Sequence, residues 1–390
     1  MRNNIVLAYI LAFCSKTWFW LGVWIFYYLK FTNYAGIGVA ETVLIVTFTV
    51  SEIPTGALAD LLGKKITLAL SYLLQAVGYL MMATAGSFPV LLLSIFVMCV
   101  GGTFYSGTLE ALVFDSLKQV GKEGDYDKKI SNVNTIQLLA PAICGAVGGF
   151  MYTVSNGLPF VATAVFCLVG LLATGFLTEP KIDSEKFSWT NFTKQTRYGL
   201  LELFKNSAVK WQTVLLLSVG FFVVINSEML NSFLGVELGF DAKQLGVLWS
   251  IIFLVSAAAS QFTPVLYRKF GGRVSIAITG AVIGITLLAS PLLGMVLGAA
   301  VLMVRSAFEG IFGNLASIIV NNNTQSKYRA TTISTFNMIK NIPYVLLAFL
   351  IGSISDRISA MNMAVILGGI LLGLIGLGLK LGNRGFDRLS

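Results

Sequence analysis

The fold class of this chain is decided by residues 38–65, which read GVAETVLIVTFTVSEIPTGALADLLGKK. Most of this stretch is apolar, and it ends in a glycine followed by two lysines. An apolar run of about 20 residues is long enough to cross the hydrocarbon core of a bilayer as a helix. Apolar and polar residues do not alternate strictly along it, which argues against a β-strand. We therefore predict a membrane-spanning helix near residues 38–60.

The composition extends this prediction to the whole chain. Of its 390 residues, 56% are hydrophobic and 12% are charged, and the mean hydropathy is +0.81. A soluble domain carries about 25% charged residues, so most of this apolar surface must face lipid. Because the bilayer core offers no water to the backbone, the chain must form helices or a closed barrel. We predict an all-α integral membrane protein with twelve transmembrane helices, near residues 5–29, 38–60, 66–86, 89–116, 131–153, 159–178, 211–233, 244–266, 274–292, 295–319, 330–352 and 361–380.

The longest polar stretch, from Glu179 to Lys210, separates the predicted helices into two sets of six. It holds six of the 27 lysines and arginines. We predict an N-terminal six-helix bundle at residues 1–178, a cytoplasmic central linker at 179–210 and a C-terminal six-helix bundle at 211–390.

The basic residues predict the orientation. With the N-terminus inside, three of the 27 fall in outer segments and three fall within helices, which leaves 21 on the cytoplasmic side. Cytoplasmic loops of membrane proteins carry such an excess, so both termini are predicted to be cytoplasmic in a multi-pass cell-membrane protein. The net charge of +9 is then explained by orientation, and we expect no nucleic-acid partner. The outer residues are Lys30, Lys243 and Arg357; those within helices are Lys16, Arg305 and Lys340.

The chain lacks the side chains that several kinds of catalysis and metal binding require. The chain has no histidine, which excludes imidazole bases, Ser-His-Asp triads and histidine-ligated metals. Its four cysteines lie inside apolar runs, without metal-ligand spacing, and are expected to be packing residues. We expect no enzyme, metal or cofactor. A channel or a non-transporting sensor is disfavoured, because no pore loop and no large soluble segment is predicted.

The two halves repeat weakly at corresponding places. Gly63-Lys64-Lys65, after the second predicted helix, is echoed by Gly271-Gly272-Arg273 after the eighth. Pro141 in the fifth helix corresponds to Pro343 in the eleventh. Transporters built from such repeats place their binding site near the midplane, between the halves. The alternative is that short glycine-basic turns simply follow many membrane helices.

Residues 56–65, GALADLLGKK, resemble the signature of the major facilitator superfamily between helices two and three. The family pattern is G-x-x-x-D-R-x-G-R-R, with lysine allowed, and Leu61 stands here in place of its first arginine. The preceding residues 51–56, SEIPTG, look like a run found in many bacterial drug-efflux members. The resemblance implies the superfamily fold and a cytoplasmic gate at this loop, joined by an acid at the end of helix 4. The gate residues predicted in this way are Glu52, Gly56, Asp60, Gly63, Lys64, Lys65 and Asp115.

The fifth helix carries a second family feature. Residues 140–145, APAICG, followed by two more glycines, are similar to the G-P-x-x-G-G motif of the superfamily's antiporters. This similarity implies an export role. The matching positions are Pro141, Gly145, Gly148 and Gly149.

Ionisable residues also occur inside the apolar spans. Each costs about 2.5–3.5 kcal/mol at the bilayer centre, so such residues mark functional sites. They fall on predicted helices 1, 2, 7, 10 and 11 and are absent from 3, 6, 9 and 12, which form the peripheral scaffold in the superfamily. They are Lys16, Glu41, Glu52, Glu228, Arg305, Glu309 and Lys340.

These charges allow more than one interpretation. Arg305 and Glu309 are four residues apart on one helix face, so they form either a structural ion pair or a proton-exchanging carboxylate beside an arginine. Lys16 and Lys340 either contact substrate anions or neutralise embedded acids. Glu41, near the outer end of its helix, is expected to be solvated, whereas Glu228 is a candidate cavity acid. Asn337 and Asn341, next to Lys340, add hydrogen-bonding capacity.

The sequence thus predicts a secondary transporter. Its aromatic residues suit an amphipathic ligand, although aromatic residues also pack against lipid in any membrane helix. The leading hypothesis is proton-coupled efflux of small, drug-like compounds by alternating access, performed by a monomer. The alternative is a carrier of a defined metabolite, such as a sugar, peptide or organic anion. The aromatic residues are Tyr9, Phe13, Trp18, Trp20, Phe221, Phe222 and Phe308.

Overall fold

Long apolar helices make up nearly all of the computed structural model, which describes residues 2–180, 189–325 and 329–386. No β-strand occurs among these residues. The helices are α1 (Arg2–Ser15), α2 (Trp24–Tyr28), α3 (Tyr34–Leu62), α4 (Lys64–Ala83), α5 (Phe88–Tyr105), α6 (Thr108–Lys118), α7 (Tyr126–Val154), α8 (Leu158–Gly175), α9 (Trp189–Leu203), α10 (Ser207–Ile225), α11 (Asn231–Glu237), α12 (Ala242–Ser260), α13 (Thr263–Leu288), α14 (Met295–Asn323), α15 (Arg329–Ile358) and α16 (Ala360–Phe386).

Eleven candidate membrane spans are long and apolar enough within the described ranges. The predicted count of twelve is not confirmed, because the first predicted helix, residues 5–29, is broken. It consists of α1 and the five-residue α2, which are joined by turns at residues 16–23. The fourth span is likewise divided, since Gly107 adopts a positive φ of 72° between α5 and α6.

The seventh predicted span contains a π turn at Asn226–Leu230, between α10 and α11. A π turn inserts a residue into the helical repeat and often marks a functional position. Here it changes the direction of the side chains that follow, including that of Asn231.

The chain divides into two compact units. Unit 1 comprises Met1–Thr32, Val43–Ser188 and Asp241–Ser250, and unit 2 comprises Asn33–Thr42, Trp189–Phe240 and Ile251–Ser390. The start of α3 therefore packs within unit 2, and the first half of α12 packs within unit 1.

Within each unit, small residues allow helices to approach closely. In unit 1, a Cβ on Gly78 would lie 2.7 Å from the Met98 backbone, where α4 meets α5. In unit 2, a Cβ on Gly368 would lie 2.7 Å from the carbonyl oxygen of Gly284, where α16 meets α13. Membrane helices depend on such close packing, because burial from lipid supplies no hydrophobic driving force.

Large apolar side chains remain on the surface. Leu172 is 70% exposed and Leu292 is 86% exposed. A soluble protein rarely exposes large apolar patches, so these side chains fit a lipid environment.

Candidate functional site

In unit 2, a buried arginine and a carboxylate are linked through one asparagine. The Asn231 side chain donates from Nδ2 to both carboxylate oxygens of Glu309, at 3.2 and 3.3 Å. Its Oδ1 accepts a hydrogen bond of 3.1 Å from Nη1 of Arg305. Both Arg305 and Asn231 are almost completely buried. Asn231 therefore uses both ends of its amide to connect the two charged groups.

The remaining donors of Arg305 bind the end of α13. Nη2 donates to the carbonyl of Thr286 at 2.8 Å and to Oγ of Ser290 at 3.3 Å, and Nε donates to Oγ1 of Thr286 at 3.2 Å. Carbonyls in the last turn of a helix lack partners within the helix and attract cations. Of the two interpretations of Arg305 and Glu309, the direct ion pair is not the arrangement in this structure, because the guanidinium turns toward α13 and Asn231 links the two charged groups.

The π turn places two polar side chains in different environments. Asn226 is 1% exposed, and neither of its side-chain polar atoms has a hydrogen-bond partner among the described residues. Glu228 is exposed. Its carboxylate interacts electrostatically with the ammonium of Lys340 on α15. The role of Glu228 as a cavity acid stays a prediction.

Glu41 lies in a buried position, contrary to the expectation that it is solvated. It is only 5% exposed, and it accepts a hydrogen bond of 3.3 Å from the Tyr344 hydroxyl on α15. The cause is close packing of α3 on α15, since a Cβ on Gly38 would lie 2.4 Å from the carbonyl oxygen of Ala348. Glu41 also interacts electrostatically with Glu228.

Asp356, near the end of α15, holds the start of α3 against that helix. Its two carboxylate oxygens accept hydrogen bonds from the backbone N–H groups of Tyr34 and Ala35, at 3.0 and 2.9 Å. The first N–H groups of a helix lack internal partners and favour an anion.

Lys340 is half-buried, and its side chain packs against Gly220. Its Cγ and Cδ atoms would be 3.0 Å from a Cβ on Gly220 of α10. Asn337 is exposed and Asn341 is half-buried on the same helix. Five of the predicted embedded charges belong to unit 2, and we call them the acid cluster: Glu41, Glu228, Arg305, Glu309 and Lys340.

Lys16 belongs to unit 1 and is not part of this cluster. It follows the end of α1, so its predicted position in the middle of an unbroken helix is wrong. Its ammonium lies 4.3 Å from the ring centroid of Trp18 and interacts electrostatically with Glu110 on α6. Oε2 of Glu110 is buried without a hydrogen-bond partner in the part of the chain that the structure describes.

The glycines of the fifth-span motif lie where three segments of unit 1 meet. A Cβ on Gly148 would lie 1.6 Å from the carbonyl oxygen of Phe19, and one on Gly149 would lie 3.0 Å from that of Ala242. A Cβ on Gly22 would lie 2.3 Å from Cα of Gly246. The broken first span, α7 and α12 therefore touch through backbone, and no larger side chain fits there. A Cβ on Gly145 would lie 3.1 Å from Oγ of Ser250 on α12, and Pro141 lies inside α7.

The predicted gate loop is held by two carboxylates. Nζ of Lys64 forms a salt bridge of 2.6 Å with Oδ2 of Asp115. The Glu179 carboxylate accepts hydrogen bonds from the backbone N–H groups of Lys64 and Lys65, at 2.8 and 2.7 Å. Asp115 therefore contacts this loop, and its part in a cytoplasmic gate stays a prediction. Glu52 is exposed. The predicted roles of Gly56 and of the Asp60 side chain fall outside what the structure describes.

The echo of this loop in the second half is confirmed. Gly63 and Gly271 both have a positive φ, 82° and 70° respectively. The basic residue two positions later donates to carbonyls at the end of another span in both cases. Nζ of Lys65 binds the carbonyls of Gly175 and Leu177, and a guanidinium nitrogen of Arg273 binds those of Gly378 and Leu379.

We expect Lys64 and Asp115 to be energetically coupled. Their side chains are only 14% and 12% exposed, and a shielded ion pair contributes more than a solvated one. A double-mutant cycle with Lys64→Ala and Asp115→Ala, measured by thermal unfolding in detergent, should give a coupling free energy of about 1–3 kcal/mol. The pair Lys205–Glu202, whose lysine is 36% exposed, is the control and should give about 0.5 kcal/mol. Equal coupling in the two pairs would contradict this expectation.

Comparison with known proteins identifies the family. The family model described as Major Facilitator Superfamily matches residues 5–346. The chain belongs to the major facilitator superfamily. This result confirms the resemblance drawn from residues 56–65. The drug-efflux branch is not established by it.

A curated relative of this superfamily member is the uncharacterized MFS-type transporter YxaM of Bacillus subtilis (strain 168). It is 24% identical over 240 residues, which are 59% of this chain and 57% of that protein. The match thus spans little more than half the length of the relative.

Several solved transporters share the fold. The nucleoside transporter NupG has a TM-score of 0.82 at 16% identity, covering 97% of this chain and 98% of that one. A POT family transporter in complex with 5-aminolevulinic acid has a TM-score of 0.73 at 12% identity, covering 98% and 96%. A bacterial homolog of the human lysosomal transporter Spinster has a TM-score of 0.75 at 14% identity, covering 99% and 97%. The family and these structural neighbours are transporters, which fits the expectation of a non-enzyme.

Three site residues were missed by the sequence reasoning. They are Tyr344, Glu110 and Asn231. A weak signal existed for Glu110, since an acid that follows Gly107 by three residues sits where the fourth span breaks.

Proposed function

We propose that this superfamily member is a proton-coupled exporter of small amphipathic compounds, working by alternating access as a monomer in the cell membrane. The excess of basic residues in the predicted inner segments supports cytoplasmic termini. The observation that carries the proposal is the Asn231 bridge, in which a carboxylate on a membrane helix is held beside, but not against, a buried arginine. Such an arrangement suits a carboxylate that gains and loses a proton during the transport cycle.

The bridge offers a way for protonation to change the helix geometry. An ionised Glu309 receives two hydrogen bonds from one amide group, and hydrogen bonds to an ionised acceptor are stronger than neutral ones. Protonation weakens this contact and frees Asn231, which directly follows the π turn. The seventh span then adjusts its turn, and the end of α13 held by Arg305 follows.

A carrier of a defined metabolite is the second candidate. It is favoured by structural neighbours described as nucleoside and peptide-family transporters. The embedded cations Lys16, Arg305 and Lys340 would suit an anionic or zwitterionic compound.

Transport into inverted membrane vesicles tests the proposal. With an imposed pH gradient, acidic inside, we expect vesicles containing the protein to accumulate hydrophobic dyes or macrolides, and a protonophore to abolish the accumulation. Vesicles without the protein are the control. Accumulation of one metabolite alone, with no dye or macrolide transported, would support the second candidate instead.

A further inference from the structure

We infer that a small cavity beside Arg305 is a binding site for one inorganic anion of halide size. The cavity and its arginine both belong to unit 2. The inference goes beyond the proposed function, because it assigns the protein a ligand other than the compound that it exports.

The surroundings of the guanidinium are the first step. Arg305 is completely buried, and four of its five N–H groups donate to oxygen atoms of Thr286, Ser290 and Asn231. All four acceptors are uncharged. Within the described ranges, Arg305 takes part in no salt bridge of 4.0 Å or less. A buried charge without a direct counter-ion is costly, so this guanidinium favours an anion beside it.

Neighbouring groups compensate the charge of Arg305 only in part. The carbonyl of Thr286, in the last turn of α13, carries a partial negative charge. The carboxylate of Glu309 is connected to the guanidinium only through the amide of Asn231. The second N–H of Nη1 has no acceptor among the residues that the structure describes. One donor of a buried cation is therefore left for a ligand.

The cavity borders this guanidinium. Its walls are mainly apolar side chains of α11, α14 and the turn before α14, such as Leu234, Leu293 and Val301. The polar side chains in its lining are Arg305 and Ser290, and both are buried. Its empty volume, including the part open at the surface, is about 190 Å³. Pockets for drug-sized ligands hold roughly 300–1,000 Å³, so the size favours a small ion.

Charge and lining favour an anion over a water molecule or a cation. The guanidinium repels a cation. A buried water usually makes about three hydrogen bonds, but only two polar side chains line this cavity. A halide accepts from the guanidinium, and its remaining surface tolerates apolar contacts. The Ser290 hydroxyl donates to the Thr286 carbonyl over a long 3.4 Å, so it can rotate to give the anion a second donor.

Thermal unfolding in detergent at constant ionic strength tests the site. Potassium chloride is compared with potassium gluconate, whose anion is too large for the cavity. As chloride replaces gluconate, the midpoint should rise and then level off, because a ligand that binds only the folded state stabilises it. Bromide should act as chloride does, and acetate as gluconate does. Equal midpoints in chloride and gluconate would overturn the site, and an acetate effect as large as that of chloride would overturn the halide assignment.

Two variants with opposite expected signs separate anion binding from a general packing defect. Val301→Phe places a ring in the cavity without changing any charge and should abolish the chloride effect. Val304→Phe, on the same helix at a position 46% exposed, is the matched control and should respond as the wild type does. Glu309→Gln removes the competing negative charge and should raise the apparent chloride affinity about tenfold. Glu123→Gln, at an exposed position, should leave the affinity unchanged.

A chloride effect retained in Val301→Phe, or a weaker one in Glu309→Gln, would contradict the inference. Should Val301→Phe fail to fold, crystals of the wild-type protein grown in bromide decide the question. An anomalous bromide peak in contact with the guanidinium of Arg305 would support the site, and its absence would overturn it.

Discussion

Glu309→Gln should reduce proton-driven transport to background while the protein remains inserted in the membrane. Glutamine keeps the size of glutamate, and its carbonyl oxygen can still accept from Nδ2 of Asn231, so the bridge to Arg305 retains one hydrogen bond. It cannot exchange a proton, and the coupling assigned to this position is lost. The measurement is accumulation of substrate in inverted vesicles with an imposed pH gradient.

Two controls make this result interpretable. Exchange of labelled substrate between equal concentrations, without a pH gradient, should persist in Glu309→Gln, because it requires binding but no proton. Glu123→Gln should transport as the wild type does. If Glu309→Gln accumulates substrate normally against a gradient, the proton is carried elsewhere and the role given to the Asn231 bridge is wrong.

The features best predicted from the sequence are those that a single helix or a short motif determines by itself. In the part of the chain that the structure describes, eleven spans have the length and apolarity that the sequence predicts. The gate loop also behaves as its resemblance implies, since Gly63 provides the turn and Asp115 pairs with Lys64. These features depend on residues close together in sequence or on a motif with a fixed geometry.

Features that depend on distant segments were not predictable. The run at residues 5–29 is long enough to be predicted as one helix, yet it breaks at Lys16, and the backbone of Phe19 then packs against Gly148. Glu41 lies near a helix end, but α15 covers it. Helical periodicity pairs Arg305 with Glu309, whereas the actual partner is Asn231, supplied by another helix after a π turn. In each case the deciding contact comes from a chain segment remote in sequence.

Gly148→Leu should destabilise the protein more than any other single substitution considered. A Cβ at this position would lie 1.6 Å from the carbonyl oxygen of Phe19, and that atom is backbone, which cannot rotate away. Overpacking a well-packed site costs about 1–3 kcal/mol, and more where the backbone must move. We expect a loss of at least about 3 kcal/mol, seen as a lower thermal midpoint in detergent and a lower amount of folded protein in the membrane.

Gly175→Leu is the matched control, because it lies in the same unit and a Cβ there meets nothing within 4 Å. The two variants add the same side chain to unit 1, so the added hydrophobicity is equal. Gly175 is the last residue of α8, whereas Gly148 lies inside α7 against the carbonyl oxygen of Phe19. If Gly148→Leu is as stable as Gly175→Leu, the broken first span does not need its close approach to α7. The turns at residues 16–23, and with them the position of Lys16 beside Trp18 and Glu110, would then have a cause other than this glycine.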